Sequence, residues 1–172
     1  MMKIARGFAA FGTAMLLCLF FVCCGRNDDR TLIHALLEKI GQRVEEKDTE
    51  GLMAFLEEDF QDFEKRDKAL AEKMVRDYLR DYRGIIMHIL GTRIDEIEEG
   101  EASVQTEVVL SSGAAKAFRK LFRAFGDFYR FDLKLRKAGE GWRISYARWQ
   151  YIGLNDLSPE SLSLLKKIFP GI

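Results

Sequence analysis

Two residues of this chain have side chains and neighbours suited to acid–base chemistry. Asp59 precedes Phe60, and a carboxylate among apolar side chains is desolvated enough to act as a general base. His88 alternates with Ile86 and Leu90 on one face of a predicted strand, where a histidine can move a proton. Structural roles compete with both: Asp59 as a turn residue that accepts hydrogen bonds from the backbone, and His88 as a partly buried, hydrogen-bonded side chain. Asp59 and His88 are therefore weak catalytic candidates.

The sequence argues against several other kinds of site. The two histidines, His34 and His88, lie far apart and lack the spacing of a metal-binding motif. Gly139 and Gly141 form a turn that no helix follows, although a phosphate site would need one. The chain of 172 residues carries 27 basic and 27 acidic side chains, whereas nucleic-acid binding requires a basic surface. We predict no metal, no cofactor and no nucleic-acid partner.

The N-terminal segment has the composition of an export signal. Two cationic residues precede an uncharged apolar run over residues 8–22, which ends in Cys23-Cys24-Gly25. This ending resembles the lipid-attachment motif of bacterial lipoproteins, with Cys24 as the modified residue and Cys23 as the second choice. Two alternatives stay open: a cleaved signal that releases the protein, and an uncleaved anchor, because about 17 apolar residues suffice to span a bilayer.

Lipidation would determine where the protein is located, and it would leave the mature chain without free cysteine chemistry. The third cysteine, Cys18, also lies in the signal, so the mature chain would have no disulfide, cysteine–metal site or cysteine nucleophile. Several acyl chains hold a protein firmly on a membrane, whereas one chain does so only marginally. The resemblance implies the periplasmic face of the bacterial envelope. The outer membrane is favoured, because Gly25 rather than an aspartate follows Cys24.

Hydrophobic periodicity predicts the order of the elements. Helical spacing extends from residue 31 to an interruption at 48, and continues over 50–56 and 65–82, with a turn over 57–62. Alternating polarity predicts strands over 85–97, 102–110, 128–137 and 142–151, with a kink at Gly91 and a helix inserted over 111–124. Ser158 and Pro159 begin a terminal helix. Helices segregated from an antiparallel sheet form an α+β class.

This order resembles the nuclear transport factor 2-like superfamily, also called the cystatin-like or ketosteroid-isomerase-like fold. The resemblance covers residues 31–152 and leaves 1–23 as the signal, 24–30 as a tether and 153–172 as a helical extension. It implies a cone, in which a curved antiparallel sheet of about four strands wraps around a long helix. It implies no particular activity, because this fold serves many functions. The residues that carry it are Asp48-x-x-Gly51-Leu52, Phe55-Leu56-Glu57-Glu58-Asp59-Phe60, the turn at Gly100, and Gly141-Trp142-Arg143-Ile144-x-x-Ala147-x-Trp149.

The interior of such a cone would be aromatic. Tyr78, Tyr82, Phe131 and Trp149 are predicted to line its pocket. An aromatic interior without a convincing acid–base pair favours a non-catalytic domain that binds a small apolar ligand or an envelope protein. The alternative is an isomerase- or hydrolase-like enzyme with an Asp or a His in the pocket as general base. The superfamily often forms sheet-to-sheet dimers, so the resemblance is compatible with a homodimer.

The inserted helix has a basic, amphipathic composition. Its apolar residues recur at helical spacing and alternate with three cations, Arg119, Lys120 and Arg123. Two roles fit this pattern: a cover over the mouth of the cone, or a surface that docks on a membrane or on a partner.

Overall fold

The computed structural model describes residues 28–112 and 126–168. Four α-helices occur in these ranges: α1 over residues 28–46, α2 over Thr49–Met53, α3 over Lys68–Arg80 and α4 over Pro159–Ile168. A short 3₁₀-helix covers Leu154–Asp156. The strands are β1 at Leu56–Asp62, β2 at Ile85–Glu98, β3 at Glu101–Ser112, β4 at Gly126–Ala138 and β5 at Gly141–Ile152.

Aspartate caps begin two of the helices. The side chain of Asp48 accepts a hydrogen bond of 2.8 Å from the backbone N–H of Gly51 at the start of α2. Asp67 accepts one of 2.9 Å from the N–H of Leu70 at the start of α3. Each cap satisfies a donor that has no partner within the first helical turn. The caps fix where the chain enters the helices that cover the sheet.

The five strands form one mixed sheet in the order β1-β5-β4-β3-β2. β2 to β5 make an antiparallel meander, and β1 joins it parallel to β5. The predicted α+β class is confirmed, with the four antiparallel strands β2 to β5 as expected. The turn expected over 57–62 was wrong: these residues belong to β1, a fifth strand parallel to β5. The run of acids from Glu57 to Asp59 hides the alternation of this strand. In the structure Leu56 and Phe60 are buried, and β1 lies at the edge of the sheet.

The other elements differ from the prediction mainly at their ends. α1 includes residues 28–30, which were assigned to the tether, and Asp29 ties this start to the sheet through an ion pair of 2.7 Å with Lys137. β3 continues to Ser112, where the inserted helix was expected to begin. The rest of that helix lies outside the described residues. The kink predicted at Gly91 is confirmed as a shift in the β2–β3 register.

Apolar side chains pack on both faces of the sheet. The larger cluster fills the concave face beneath α1, α2 and α3, and includes Ile33 and Leu135, which are almost fully buried. The smaller cluster joins α4 to the opposite face and includes Val109 and Leu165, both 0 % exposed. Burial of a side chain of this size contributes about 1.5–3 kcal/mol. The sheet is thus covered by helices on both faces.

Candidate functional site

An apolar cavity of about 300 Å³ lies between the first three helices and the concave face of the sheet. Helices α1, α2 and α3 and all five strands contribute side chains to its wall. Three methionines, Met53, Met74 and Met87, are among them, and their flexible thioethers let an apolar wall adapt to different shapes. The volume is at the lower end of the range for small-molecule sites.

Few polar atoms face this cavity. Among the described lining residues there is no Asp, Glu, His, Lys or Arg. The hydroxyl of Thr106 donates to the carbonyl oxygen of Gly91 at 3.1 Å and lies 3.1 Å from the hydroxyl of Thr92. Apart from the indole of Trp149, the other polar side chains of the described wall are Tyr78 and Tyr129. The cavity is therefore apolar, with phenol groups in its wall.

Three of the four side chains predicted to line the pocket border this cavity. Tyr78 reaches it from α3, Phe131 from β4 and Trp149 from β5. The fourth, Tyr82, lies outside the described wall, and its hydroxyl donates to that of Tyr78 at 3.0 Å. Their contact with a ligand stays a prediction.

Tyr78, Tyr82 and Tyr129 form a phenol cluster. Burial raises the pKa of Tyr78, and the hydrogen bonds with Tyr82 and Tyr129 raise it further. Burial is also the main cause that raises the pKa of Tyr129. Because both pKa values lie above the ordinary value of a phenol, these hydroxyls are neutral at physiological pH. They can act as hydrogen-bond donors.

Asp127 is a candidate that the sequence analysis missed. It precedes Tyr129 by two positions on β4, so both side chains lie on the cavity face of the strand. Its charge is close enough to contribute to the raised pKa of Tyr129. Asp127 pairs in register with Leu110, which lines the cavity. The alternation of Asp127, Tyr129 and Phe131 was visible in the sequence, but the proximity of Tyr78 of α3 and of Tyr82 just after α3 was not.

An aromatic group stands beside the wall where β5 passes the end of β1. The ring of Phe63 meets that of Trp149 edge-on at 4.9 Å, and the guanidinium of Arg66 lies 5.2 Å from the Trp149 ring centre. Arg66 donates to the buried carboxylate of Asp62 at 2.6 Å and pairs with Glu64 at 2.5 Å. Its charge is therefore already matched, and Asp62 serves to fix the turn between β1 and α3.

The two weak catalytic candidates lie away from the cavity. Asp59 is exposed and pairs with Arg136 at 3.1 Å. Met87 lines the cavity, and successive side chains of a strand point to opposite faces. His88 therefore lies on the other face with Leu90, which belongs to the α4 cluster. Neither Asp59 nor His88 is among the side chains that line the cavity.

A second cavity of about 260 Å³ lies between β2, β3 and the start of α4, and its described lining includes three charged side chains, Arg93, Glu107 and Glu160. The described part of the chain groups no three His, Cys, Asp or Glu side chains as metal ligands. It also contains no helix that is long and apolar enough to cross a membrane. Cys23, Cys24 and the basic inserted segment lie outside the described residues, so the predictions about them stay predictions.

Solved structures of several bacterial proteins are similar to this one. The chain matches a nuclear transport factor 2-like protein of unknown function from Pseudomonas putida with a TM-score of 0.58 and 15 % identity, over 74 % of this chain and 94 % of that one. This chain adopts the nuclear transport factor 2-like, or cystatin-like, fold. A protein from Novosphingobium aromaticivorans, provisionally assigned as a scytalone dehydratase, gives a TM-score of 0.60 and 14 % identity, over 72 % of this chain and 84 % of that one.

Bd1075 from Bdellovibrio bacteriovorus shares the fold as part of a larger protein. It gives a TM-score of 0.58 and 17 % identity over 72 % of this chain, which spans only 41 % of Bd1075. No family model and no curated protein matches the sequence. Identities this low show the fold alone. Function must therefore be argued from the cavity.

Proposed function

We propose that this protein is a lipid-anchored protein of the bacterial envelope whose cavity binds a small apolar ligand without transforming it. The observation that carries the proposal is the wall of the cavity, which has no ionisable side chain except tyrosine among its described residues. Transfer of an apolar molecule from water into such a space is favourable in proportion to the area it buries. The anchor at Cys24 belongs to the proposal through the sequence motif.

The volume limits the size of the ligand. An apolar protein cavity of about 150 Å³ holds one benzene molecule. A cavity of about 300 Å³ therefore accommodates roughly two fused rings, or an aliphatic group of similar volume. A protein partner could enter it only with a side chain or two. We therefore favour a small molecule over an envelope protein as the occupant.

Binding of naphthalene tests this proposal. We expect naphthalene to raise the melting temperature of the purified chain and to bind with a stoichiometry of one in calorimetry. Val75→Phe adds a ring to the cavity wall and should weaken binding at least tenfold. Leu70→Phe is the matched control, because Leu70 lies on the same helix, is 53 % exposed and does not line the cavity. Failure of naphthalene to bind the native chain would overturn the proposal.

A second candidate function rests on the position of Asp127. A carboxylate beside a neutral phenol can take a proton from the carbon next to a carbonyl, while the phenol hydrogen-bonds to the enolate oxygen that forms. The protonated carboxyl group, which can exchange its proton with solvent, then returns a proton to carbon; in an isomerase this is a different carbon atom. This chemistry would use Asp127 and Tyr129 rather than Asp59 or His88.

Proton exchange separates the two functions. With β-tetralone in D₂O, an enzyme of this kind would accelerate the replacement of the protons beside the carbonyl, and Asp127→Asn would abolish the acceleration. A binding protein leaves the exchange rate at its value in buffer. Nuclear magnetic resonance of the ketone reports the rate directly. Our proposal predicts no acceleration.

A further inference from the structure

The start of α1 lies at the end of the sheet that carries two hairpin turns. Asp29 at this start forms its ion pair of 2.7 Å with Lys137, which closely precedes the turn at Gly139. The backbone N–H of Lys137 donates to the carbonyl oxygen of Gly100 at 2.7 Å, so the turn between β2 and β3 lies beside it. We call this part of the molecule, with the turns at Gly100 and Gly139, the hairpin end.

The cavity lies toward the opposite end of the sheet. Leu37, Ile40 and Val44 line it from α1, and at 1.5 Å per helical residue they lie about 14 to 24 Å along the axis from the start of the helix. Met87 lines it from the first part of β2, and Trp149 from the last part of β5. Both positions lie at the ends of their strands that are remote from the two turns.

Packed side chains fill the interior between the hairpin end and the cavity. Several buried residues of the larger apolar cluster occupy this space and do not line the cavity: Ile33, Ala102, Val104, Leu135 and Trp142. The wall of the cavity begins at the next inward-facing position of each strand, at Thr106, Leu133 and Ile144. Because protein interiors are close-packed, the described core separates the cavity from the hairpin end.

A short tether joins the hairpin end to the proposed anchor. Cys24 is four residues before the start of α1 at residue 28, and a chain of this length spans at most about 14 Å when fully extended. α1 is about 28 Å long. A molecule inverted over the membrane, with its cavity against the lipid, would lift the start of α1 by roughly this length. The tether is too short for that orientation.

The charge of the hairpin end leaves the tether to determine the orientation. Glu98, Glu99, Glu101 and Glu140 lie in or beside the two turns and are exposed. Anionic lipids give a membrane surface a negative potential, which attracts basic segments and repels acidic ones. The hairpin end is therefore held near the headgroups by the covalent link to Cys24 and not by attraction to the lipid.

We propose that the anchor holds the molecule with its hairpin end toward the membrane and its cavity on the far side, so that the cavity takes its ligand from the aqueous phase and not from the bilayer. The inference rests on the proposed function, because it uses both the anchor at Cys24 and the binding of a small apolar ligand. It adds the direction from which the ligand arrives. Such a ligand must be soluble enough to cross water unaided.

Quenching by the lipid headgroups tests the orientation on the lipidated chain in vesicles of phosphatidylethanolamine and phosphatidylglycerol. Once Cys24 is acylated the mature chain has no free cysteine, so one introduced cysteine can carry a fluorescent label. Glu140→Cys places the label at the hairpin end, and Arg83→Cys places it just before β2 at the far end; both positions are exposed. Nitroxide headgroups should quench the label at 140 strongly and leave the label at 83 nearly unaffected, because about 28 Å separates the two ends.

A longer tether is the matched control for this measurement. Insertion of about 20 Gly and Ser residues after Asn27 adds a flexible linker with an average span of about 25 Å. The hairpin end is then free to leave the headgroups and the molecule is free to turn over. Quenching at position 140 should fall, and the difference between positions 140 and 83 should shrink.

The rate of naphthalene binding tests the route of the ligand. Stopped-flow mixing with aqueous naphthalene is followed through the fluorescence of Trp149, which lines the cavity. The anchored chain on vesicles and the Cys24→Ser chain without residues 1–23, mixed with the same amount of plain vesicles, should bind at equal rates. A cavity that loads from the bilayer would make the anchored chain faster, because naphthalene concentrates in the lipid.

The outcomes that overturn the inference differ from those that overturn the proposed function. Equal or stronger quenching at position 83, an unchanged difference between the two labels with the longer tether, or faster binding by the anchored chain would each refute the inference. Absence of a lipid on Cys24 would refute the anchor of the proposed function, and absence of naphthalene binding by the Cys24→Ser chain would refute its binding site.

Discussion

Glu107 is a carboxylate that the sheet and α4 bury together. It is 4 % exposed, it accepts 2.7 and 3.0 Å hydrogen bonds from Arg130, and it accepts one of 3.0 Å from the backbone N–H of Ser158. Burial raises the pKa of Glu107, but hydrogen bonds from Ser161, Ser158 and Arg130 outweigh it and hold the pKa below its ordinary value of 4.5. The arrangement joins the N-terminus of α4 to β3 and β4.

Replacement of Glu107 should show how much this junction stabilises the fold. We expect Glu107→Gln to lower the free energy of unfolding at pH 7 by about 2 kcal/mol, because the guanidinium of Arg130 loses its buried counter-ion. Urea denaturation measures the change. Asp59→Asn is the control: it breaks an exposed pair with Arg136 and should leave the stability almost unchanged. Equal effects of the two substitutions would contradict this role for Glu107.

The same junction should depend on pH with a defined sign. The folded pKa of Glu107 lies below its unfolded value of about 4.5, so the carboxylate contributes its full stabilisation above the unfolded value. That contribution is lost as the pH falls through the folded pKa. The difference in stability between the native chain and Glu107→Gln should therefore shrink below about pH 4.5 and stay constant between pH 6 and 8. A constant difference down to pH 3 would refute the assignment.

At the scale of single residues the sequence predicted the aromatic side chains better than the carboxylates. Tyr78, Phe131 and Trp149 follow the apolar periodicity of their elements, and periodicity decides which side chains face inward. Asp59 was placed beside an apolar neighbour in sequence, but adjacent residues of a strand face opposite sides. Asp127 gains its interest from Tyr129, from Tyr78 of α3 and from Tyr82 just after α3, and that proximity arises only in the folded chain.

At the scale of the elements, Gly91 sets how closely α4 approaches the sheet. A Cβ atom at this position would overlap the hydroxyl oxygen of Ser161, whose side chain is fully buried in α4. The Cβ atom of Ser161 itself would lie 3.7 Å away, which is ordinary contact. Of the Ser161 side chain, the hydroxyl oxygen is thus the atom that a Cβ at position 91 would overlap, and this overlap explains the need for a glycine there.

Substitution of this glycine should be partly rescued by a second change. We expect Gly91→Ala to lower the free energy of unfolding by about 2 kcal/mol, because α4 must shift or Ser161 must turn. Ser161→Ala removes the clashing oxygen, so the double variant should be more stable than the sum of the two single changes implies. Gly141→Ala is the control, since nothing lies within 4 Å of a Cβ atom there. Thermal unfolding of the native chain, the two single variants and the double variant completes a double-mutant cycle. Strictly additive changes in the free energy of unfolding would contradict the clash.

The sequence predicted most elements because their periods are long and regular. The alternation from β2 to β5 and the helical stripe of α3 each extend over ten or more residues, so one irregular position does not hide them. β1 has seven residues and carries acids on its exposed positions, which gives it the composition of a turn. Its pairing with β5 depends on residues more than eighty positions away in the chain and leaves no local pattern.

At the scale of the whole molecule, the proposed anchor places the cavity at a membrane surface. Cys24→Ser should release the protein from the membrane fraction of the bacterium that expresses it, because the mature chain would lose its acyl groups. Cys18→Ser is the matched control, since Cys18 lies inside the apolar run and should have no effect. Fractionation followed by immunoblotting measures the distribution. Release by Cys23→Ser alone would move the attachment site by one residue, and retention of all three variants would refute lipidation.

The parallel pair at the sheet edge has a consequence for the order in which the molecule is built. The meander from β2 to β5 grows by hairpins between neighbours in the chain, whereas β1 must bring Leu56 beside Ile144. Contacts between distant segments cost more loop-closure entropy and form later in folding. Leu56 and Phe60 of β1 are part of the cavity wall. The meander can therefore form without an enclosed cavity, and we expect the cavity to close only when β1 has paired with β5.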